Sequence, residues 1–303
     1  QIAYSMERER TINKPPLLSI GCTTYNHKDY VRDAIEGFLI QKTNFPFEII
    51  IHDDASTDGT DEIVKEYEKL YPSLIHPVYQ KKNKFSKGIS IWHTYIWPRA
   101  RGKYVAMCES DDYWTDPCKL QKQVDFLEEN REYSLCFHNA LIIDEGRKSV
   151  PRNMCSPGQK QTLDIKDAIA GIGIATASMM FRKELLEIPE WFNYTYNRDY
   201  ALQLLMAERG KIRYMNEVMS VYRRQPGGLN ARMKQSRITQ YQILLLSYFN
   251  MHTRFRYKEL INKRISRKFD DYTDHLLNER PTLLRLLSFQ FWRNKTSALL
   301  GNG

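Results

Sequence analysis

The chain has 303 residues, of which 42% are hydrophobic and 27% are charged, and its net charge is +9; it is long enough to bury a sizeable core, as one large domain or as one domain with an appendage. No apolar run approaches the roughly 18 residues that a membrane-spanning helix needs. Five cysteines without a CxxC pair argue against a disulfide framework, and no charged-then-apolar segment follows Gln1, so we expect a cytoplasmic protein with reduced thiols.

The first half of the chain alternates between predicted strands and predicted helices. Apolar, β-branched runs that stop at polar residues indicate buried strands, and apolar residues at helical spacing indicate helices. In chain order the elements are a strand at Leu17–Tyr25, a helix at Asp29–Gln41, a strand at Phe47–Asp54, a helix within Ser56–Tyr71, a weaker strand at Ile75–Tyr79, a helix at Ile89–Arg99, a strand at Lys103–Glu109 and a helix after Asp116 and Pro117. This alternation predicts an α/β fold with a mostly parallel, Rossmann-like sheet and flanking helices.

Two of these helices carry specific expectations. The helix within Ser56–Tyr71 is predicted to bury one face, made of Ile63, Val64, Tyr67 and Leu70. The later helix is predicted to begin with Asp116 as its N-cap and Pro117 as its first position. Its predicted inward residues are Leu120, Val124 and Leu127.

Polar residues follow three of the predicted strands, at Thr23–Asn26, Asp53–Asp54 and Glu109–Asp112. In open α/β sheets, ligands bind outside the carboxyl ends of the strands, so the fold is expected to bring these clusters to one edge. The Asp53–Asp54 pair has an alternative reading, because with the following "ASTDGT" it can serve simply as a helix-capping loop. Three clusters at one edge favour a ligand site.

The third cluster lies in "MCESDDYW", Met107–Trp114, where three acidic residues end an apolar strand. Like charges this close repel, and removing each from water costs more, so a bound cation is the simplest compensation. The chain has neither G-x-G-x-x-G after the first strand nor a P-loop motif to hold phosphates with glycine-rich backbone. Carboxylates and phosphate oxygens are the ligands that Mg²⁺ and Mn²⁺ prefer.

Four motifs, in order, resemble a known family. They are "LLSIGCTTYNHKDYVRDAIEGFLIQ", "FEIIIHDDASTDGTDEIVKEY", "GKYVAMCESDDYWTDPCKLQKQVDFLEEN" and "NRDYALQLLMAERGKIRYMNEVMSVYRRQPGG". Together they look like the inverting family 2 glycosyltransferases with the GT-A fold, over about Leu17 to Gly228. The first three resemble the nucleotide-sugar half of that family, and the fourth resembles its acceptor half.

The resemblance implies a role for residues in each of the polar clusters. Thr23 and Tyr25 would line the nucleotide pocket, and Asp54 would accept a hydrogen bond from the base, such as the N3–H of uracil. Asp111 would bind the ribose, and Asp112 would ligate the metal.

Further roles are implied outside these positions. Glu109 stands where the family often has Asp, as a second metal ligand or as a contact of the ribose, and Asp199 in "NRDY" aligns with the catalytic carboxylate. Arg223 falls near the diphosphate, and Gln225 stands where the family often has His. Lys84, in the basic loop "YQKKNKFSKG", is predicted either to reach phosphate or base or to belong to a solvated charge run.

The end of the chain is basic. From Tyr222 onward it has 16 Lys and Arg residues against 5 Asp and Glu, while the rest is near neutral. The predicted organisation is a tail at 1–16, a GT-A domain at 17–230 divided at 115/116, and a basic helical region at 231–303. The segment that contains Phe291 and Trp292 has the composition of an interfacial helix. Such a helix would give a peripheral contact with the inner face of the membrane. The alternatives are helices packed on the catalytic body or a homo-oligomer interface; no nucleic-acid module accompanies the charge.

The acidic cluster and the family resemblance together imply a metal-dependent inverting glycosyltransferase, and the resemblance alone implies its part in surface glycan synthesis. Its donor would be a nucleotide sugar, most simply a UDP-sugar, and its acceptor a hydroxyl of a glycan or lipid-linked glycan in surface polysaccharide synthesis. A sugar nucleotidyltransferase is the enzymatic rival, but it predicts a "GxGTR"-like start where this chain has "CTTYNHKDY". The other rivals are a non-catalytic nucleotide- or sugar-binding partner subunit and a basic adaptor that acts through its tail.

Overall fold

The structure, a computed structural model, describes residues 15–146, 149–225, 228 and 233–279. The strands of the described chain are β1 (Leu18–Thr24), β2 (Phe47–Asp53), β3 (Ile75–Tyr79), β4 (Tyr104–Glu109), β5 (Tyr113–Trp114), β6 (Tyr133–Asp144), β7 (Arg152–Asn153), β8 (Thr162–Leu163), β9 (Met180–Arg182) and β10 (Lys211–Arg224). The α-helices are α1 (Val31–Leu39), α2 (Thr60–Leu70), α3 (Lys119–Glu129), α4 (Ile165–Ala170), α5 (Arg198–Arg209), α6 (Gln235–His252) and α7 (Lys258–Glu279).

The strands form one sheet in the order β3-β2-β1-β4-β9-β6-β10-β5, with β7 on β6 and β8 on β10. The strands β3, β2, β1 and β4 are parallel, and so are β6 and β10. Between these two groups lies the short β9, which is antiparallel to both of its neighbours. The predicted mostly parallel α/β sheet with flanking helices is confirmed.

The core explains why the central strands read as almost continuous apolar runs. On β1, the alternate residues Leu18, Ile20 and Cys22 lie in one cluster with Ile35 and Phe38 of α1. The neighbouring residues of β1 are also buried, since β1 lies between β2 and β4 inside the sheet. A parallel strand covered on both faces needs apolar residues at nearly every position.

The prediction of the buried face of α2 is wrong at the last residue of the helix, Leu70. Val64 and Tyr67 are buried, but Leu70 is 63% exposed. The helix ends at Leu70, and the chain then turns into β3. The 3.6-residue period selects a face but does not tell where the neighbouring layer stops.

Two other helix predictions need correction. α3 begins at Lys119 with Cys118 as its N-cap, two residues later than predicted, and the Asp116 carboxylate accepts the Cys118 N–H at 2.7 Å from outside the helix. The predicted inward residues Leu120, Val124 and Leu127 are buried. In place of a helix at 89–99, the chain forms a single π-helical turn at Trp92–Ile96.

The chain divides into two units, residues 1–228 and 229–303. In the second unit, α6 and α7 form a helical pair in which Phe249 stacks on Tyr257 with parallel rings 6.3 Å apart. The predicted division at 115/116 stays a prediction, while the tail at 1–14 and the predicted interfacial residues Phe291 and Trp292 lie outside the described residues. Among the helices that are described, none has the length and apolar character to cross a bilayer.

His52 sits in the interior of the first unit as an uncharged residue. Its ring is fully buried on β2, 4.8 Å from the ring of Tyr95. Among the described residues, neither of its ring nitrogens has a hydrogen-bond partner. Burial lowers the pKa of His52 to about 4, against the opposing charge of Asp54.

We expect this histidine to make the fold acid-sensitive. The unfolded chain takes up a proton at an ordinary pKa of 6.5, and the buried ring takes it up only near pH 4, so stability falls as the pH drops through this window. The substitution His52→Phe removes that contribution and should make the fall in unfolding free energy shallower by about 1–3 kcal/mol. Urea unfolding at several pH values measures the difference, and identical pH profiles for the two proteins would contradict the expectation.

Candidate active site

The three polar clusters meet at one edge of the sheet, as expected. In the strand register, Thr24 pairs with Asp53 of β2, and Thr23 pairs with Glu109 of β4. The turn after β4 is tied to β1, because the Ser110 N–H donates to the Thr23 carbonyl at 3.0 Å. The carboxyl ends of β1, β2 and β4 therefore hold the clusters side by side.

The acidic turn gathers three carboxylates. Ligand oxygens of Glu109, Asp111 and Asp112 all lie within 4.8 Å of one another. Asp112 is 1% exposed, and its Oδ1 accepts the Arg223 N–H at 2.9 Å. Its other oxygen, Oδ2, is buried and has no hydrogen-bond partner within the described part of the chain.

The raised pKa values of two carboxyl groups in the turn favour a bound positive charge. Removal from water raises the pKa of Glu109 to about 8, with smaller contributions from the charges of Asp111 and Asp199. Burial likewise raises the pKa of Asp112 well above its usual range, and Asp111 and Glu109 add to this. A cation in contact with the cluster would reverse both shifts, since an opposite charge favours the ionised form.

The donor set fits a hard divalent cation. All three side chains offer carboxylate oxygens, which Mg²⁺ and Mn²⁺ prefer, and the unpartnered Asp112 oxygen is otherwise costly to bury. The amide of Gln225 lies beside the cluster, with Nε2 at 3.4 Å from Asp111 Oδ2. The residues present are therefore suited to hold the cation that was expected from the sequence.

Arg223 is committed to contacts inside the protein. Its guanidinium pairs with Asp33 and with Glu145, the latter at 3.3 Å, and donates to the Asp111 carbonyl at 3.1 Å. The side chain is 11% exposed. Arg223 thus holds the acidic turn through both its backbone and its side chain, and its expected contact with a diphosphate stays a prediction.

Aromatic rings and a glycine complete the support of the turn. The Arg223 guanidinium lies over the rings of Tyr30 and Tyr113, at 5.2 and 4.4 Å from their centroids. β5 follows the acidic turn and packs against α1 at Gly37. A Cβ at position 37 would lie 2.9 Å from backbone atoms of Trp114. Only a glycine lets the strand approach the helix this closely, so the exit of the turn is fixed by packing.

Asp54 organises a neighbouring loop. It is 3% exposed, and its carboxylate accepts the N–H groups of Lys84 and Phe85 at 2.7 and 2.9 Å. Asp53 accepts from the N–H and hydroxyl of Ser56, but it does not cap α2, whose N-cap is Gly59 without a side-chain hydrogen bond, so the helix-capping alternative is wrong for this residue. The expected contact of Asp54 with a base stays a prediction; a carboxylate oxygen has room for a second donor.

A cavity of about 610 Å³ opens beside these loops. Its lining includes Tyr25, Ser56, Tyr79 and Lys82, but not Asp54 or Lys84. The ring of Tyr25 is 44% exposed and is therefore available to a flat ligand. Glu109, Asp111 and Asp112 are not among the lining residues of the cavity.

Asp199 stands in the first turn of α5, where the helix dipole favours negative charge. Its side chain remains exposed to solvent, yet the surrounding protein displaces enough water to raise its pKa. The charge of Asp199 adds to the rise in the pKa of Glu109. The preceding Arg198 donates to the Gly88 carbonyl at 2.6 Å, which joins α5 to the loop that Asp54 holds.

The sequence interpretation missed two supporting residues. His27 Nδ1 lies 2.8 Å from the Ser110 hydroxyl in the middle of the acidic turn. The side chain of Thr176 favours the ionised form of Glu109 and so opposes the rise in the pKa of that carboxyl. His27 directly follows the polar cluster after β1, which was a usable signal, whereas Thr176 carries none.

Comparison with sequences of known proteins gives three informative relatives. An uncharacterized Mycobacterium tuberculosis protein, Rv1520, is 37% identical over 216 residues, which is 70% of this chain and 60% of the relative. The putative teichuronic acid biosynthesis glycosyltransferase TuaG of Bacillus subtilis is 32% identical over 212 residues, 70% of this chain and 80% of TuaG. The Escherichia coli UDP-Glc:alpha-D-GlcNAc-diphosphoundecaprenol beta-1,3-glucosyltransferase WfaP is 30% identical over 232 residues, 75% and 85% of the two chains. The chain thus spans about 60% of the mycobacterial relative's length.

Solved structures agree on the fold. S. aureus TarS 1–349 in complex with UDP-GlcNAc superimposes with a TM-score of 0.62 at 16% identity, over 89% of this chain and 77% of TarS 1–349. The mannosyltransferase PcManGT from Pyrobaculum calidifontis, in complex with GDP-Man and Mn²⁺, gives 0.56 at 14% identity, over 98% and 88%. The expected GT-A architecture is confirmed by this likeness.

The family assignment rests on the part of the chain that carries the site. Residues 19–188 match the family described as Glycosyl transferase family 2. The match includes β1, β2, β4 and the acidic turn, and it covers more than half of the 303 residues. With a TuaG relationship that extends over 70% of the sequence, the chain belongs to glycosyl transferase family 2.

Proposed function

We propose that this chain transfers a sugar from a nucleoside diphosphate sugar, a UDP-sugar, to a hydroxyl of a glycan or lipid-linked glycan, with inversion at the anomeric carbon. The observation that carries the proposal is the acidic turn, in which a buried Asp112 oxygen without a partner among the described residues stands next to two further carboxylates. The names of WfaP and TuaG support a UDP-sugar donor and a surface glycan product. A cytoplasmic location, with its cysteines reduced, is part of the proposal.

The nucleoside would occupy the strand ends. Tyr25 offers an exposed ring for a base beside the 610 Å³ cavity. Thr23 on β1 and Asp54 after β2 would flank the base, and Lys84 lies in the basic loop whose backbone Asp54 fixes. Complexes of TarS, which has the same fold, with UDP and UDP-GlcNAc support a nucleotide-sugar donor.

The diphosphate would lie over the acidic turn. Asp112 and Glu109 would hold a divalent cation, Mn²⁺ or Mg²⁺, with Asp111 directed to the ribose. A cation held there supplies neutralisation of the charge that develops on the leaving nucleoside diphosphate. Arg223, held by Asp33 and Glu145, keeps the turn in place for this role.

The acceptor would be activated by Asp199. Its carboxylate would take the proton of the attacking hydroxyl, as a general base. A hydroxyl is far less acidic than an aspartic acid, so the proton leaves as the oxygen attacks, not before. Because the attack comes from the face opposite the leaving group, the anomeric configuration inverts, through a transition state with oxocarbenium character.

A panel of nucleotide sugars tests the proposal. The full chain is heated with UDP-, GDP- and dTDP-sugars, with Mn²⁺, with Mg²⁺ or with EDTA, and its melting temperature is recorded. We expect a UDP-sugar to raise the melting temperature only with metal present, by an amount that grows with ligand concentration. Release of UDP in the presence of glycan acceptors then separates an enzyme from a binding subunit. Metal-independent behaviour with every donor would overturn the proposal.

A further inference from the structure

The turn between α6 and α7 is strained at two successive residues. Arg254 and Phe255 have φ angles of +50° and +61°, in the left-handed region that favours glycine. α6 ends in a Schellman pattern, in which the Phe255 N–H donates to the Asn250 carbonyl at 2.8 Å and the Arg254 N–H to the Met251 carbonyl at 3.0 Å. Glycine or asparagine would occupy these positions with less strain, so the backbone conformation does not explain the presence of Arg and Phe.

Buried hydrogen bonds and a ring stack hold the strained turn in place. Thr253 is buried, and its hydroxyl donates to the carbonyls of Phe249 and Asn250 at 3.0 and 3.2 Å. Phe249 in turn stacks on Tyr257 at the start of the next helix. The turn is therefore a fixed platform and not a loose connection.

This platform presents an apolar pair to solvent. Phe255 is 57% exposed and Met251, one turn back on α6, is 55% exposed. Neither side chain carries a group that donates a strong hydrogen bond. An exposed phenylalanine at the tip of a turn, with charged residues beside it, is typical of an anchor at a membrane interface.

The surroundings of the pair are strongly basic. Residues 254–267 contain six Lys and Arg residues and a single acidic residue, Glu259, and the next residue, Lys268, is paired with Asp271 at 3.3 Å. Arg254 and Lys258 are exposed next to Phe255. This charge is complementary to an anionic surface, and each basic residue near such a surface adds to binding.

We propose that the α6–α7 turn is a membrane-contact site, at which Phe255 and Met251 enter the headgroup region of an anionic lipid surface and the flanking Arg and Lys residues bind lipid phosphates. The strain at Arg254 and Phe255 places the aromatic ring at the tip with a cation on each side. Nucleic acid would match the charge, but it gives no role to an apolar pair without hydrogen-bonding groups. The proposal is independent of the proposed reaction.

The test is co-sedimentation of the full chain with vesicles. Vesicles of phosphatidylcholine with about 30% phosphatidylglycerol are compared with pure phosphatidylcholine. Phe255→Gly suits the backbone conformation, so it should keep or raise the melting temperature while weakening binding to anionic vesicles about tenfold. Arg254→Gly also suits the backbone and should weaken binding about fivefold through the lost charge.

A matched control lies in the same unit. Phe269, on α7 outside the turn, is 54% exposed, and Phe269→Ser should leave vesicle binding within about twofold. Wild-type binding should fall as salt rises from about 0.05 to about 0.5 M. Equal binding by Phe255→Gly and wild type, or an equal loss for Phe269→Ser, would each overturn the proposal.

Discussion

Asp199→Asn is expected to lower the rate of sugar transfer by about 10²–10⁴-fold. Asparagine preserves the size of the side chain but cannot take a proton from the acceptor hydroxyl. Binding of the donor should change by less than about threefold, because Asp199 lies on α5 and the proposed donor contacts follow β1, β2 and β4. Single-turnover transfer and donor titration, measured on the same preparation, separate the two quantities.

A control for this experiment comes from a surface carboxylate. Asp125 is exposed on α3 and accepts only a hydrogen bond from Gln121 among the contacts described. Asp125→Asn should leave both transfer and donor binding unchanged. Transfer by Asp199→Asn at the wild-type rate would remove Asp199 from the mechanism, even if the chain binds nucleotide sugars.

Asp112→Asn is expected to separate function from stability. Asparagine keeps an oxygen to accept the Arg223 N–H but withdraws the charge from a site with two further carboxylates. The metal concentration needed for donor binding should rise by about 100-fold or more, and transfer should fall with it. Titration of Mn²⁺ in the presence of a fixed concentration of UDP-sugar measures this.

The same substitution should stabilise the metal-free protein. The pKa of Asp112 is raised in the fold, so the folded chain holds a proton there that the unfolded chain releases. The contribution of Asp112 to stability therefore falls as the pH rises above the ordinary pKa of an aspartic acid. At neutral pH, removal of the titrating group should therefore raise the melting temperature without metal. A variant that loses stability without metal, or that keeps the wild-type response to Mn²⁺, would show that Asp112 does not serve as a ligand.

The order of strands and helices in the first half was readable from local patterns. Apolar runs at β1, β2 and β4 are long enough to be recognised alone, and parallel strands place their carboxyl ends together. The acidic turn followed from this, because three carboxylates after a buried strand have few explanations other than a cation. The short β9 gave no such signal, since its three residues acquire their antiparallel position only between β4 and β6.

The partners of Arg223 could not have been found in the same way. Asp33 lies 190 residues earlier in the chain, and no periodicity links the two positions. Likewise, both Asp54 and Lys84 were picked out as ligand residues, but their connection runs through the Lys84 backbone and not its ammonium group. Residue type indicates what a side chain can bind, and the packing of distant segments decides what it does bind.

The amino-acid order alone determined the class of fold, the edge of the sheet where the polar clusters meet and the set of carboxylates in the acidic turn, because hydrophobic period and residue type act over short distances. Only the tertiary structure decided that one buried oxygen of Asp112 has no partner among the described residues, that Arg223 is held inside the protein, and that Phe255 is exposed on a strained turn. Each of these depends on contacts or backbone angles that a closed, packed chain imposes on residues from separate segments.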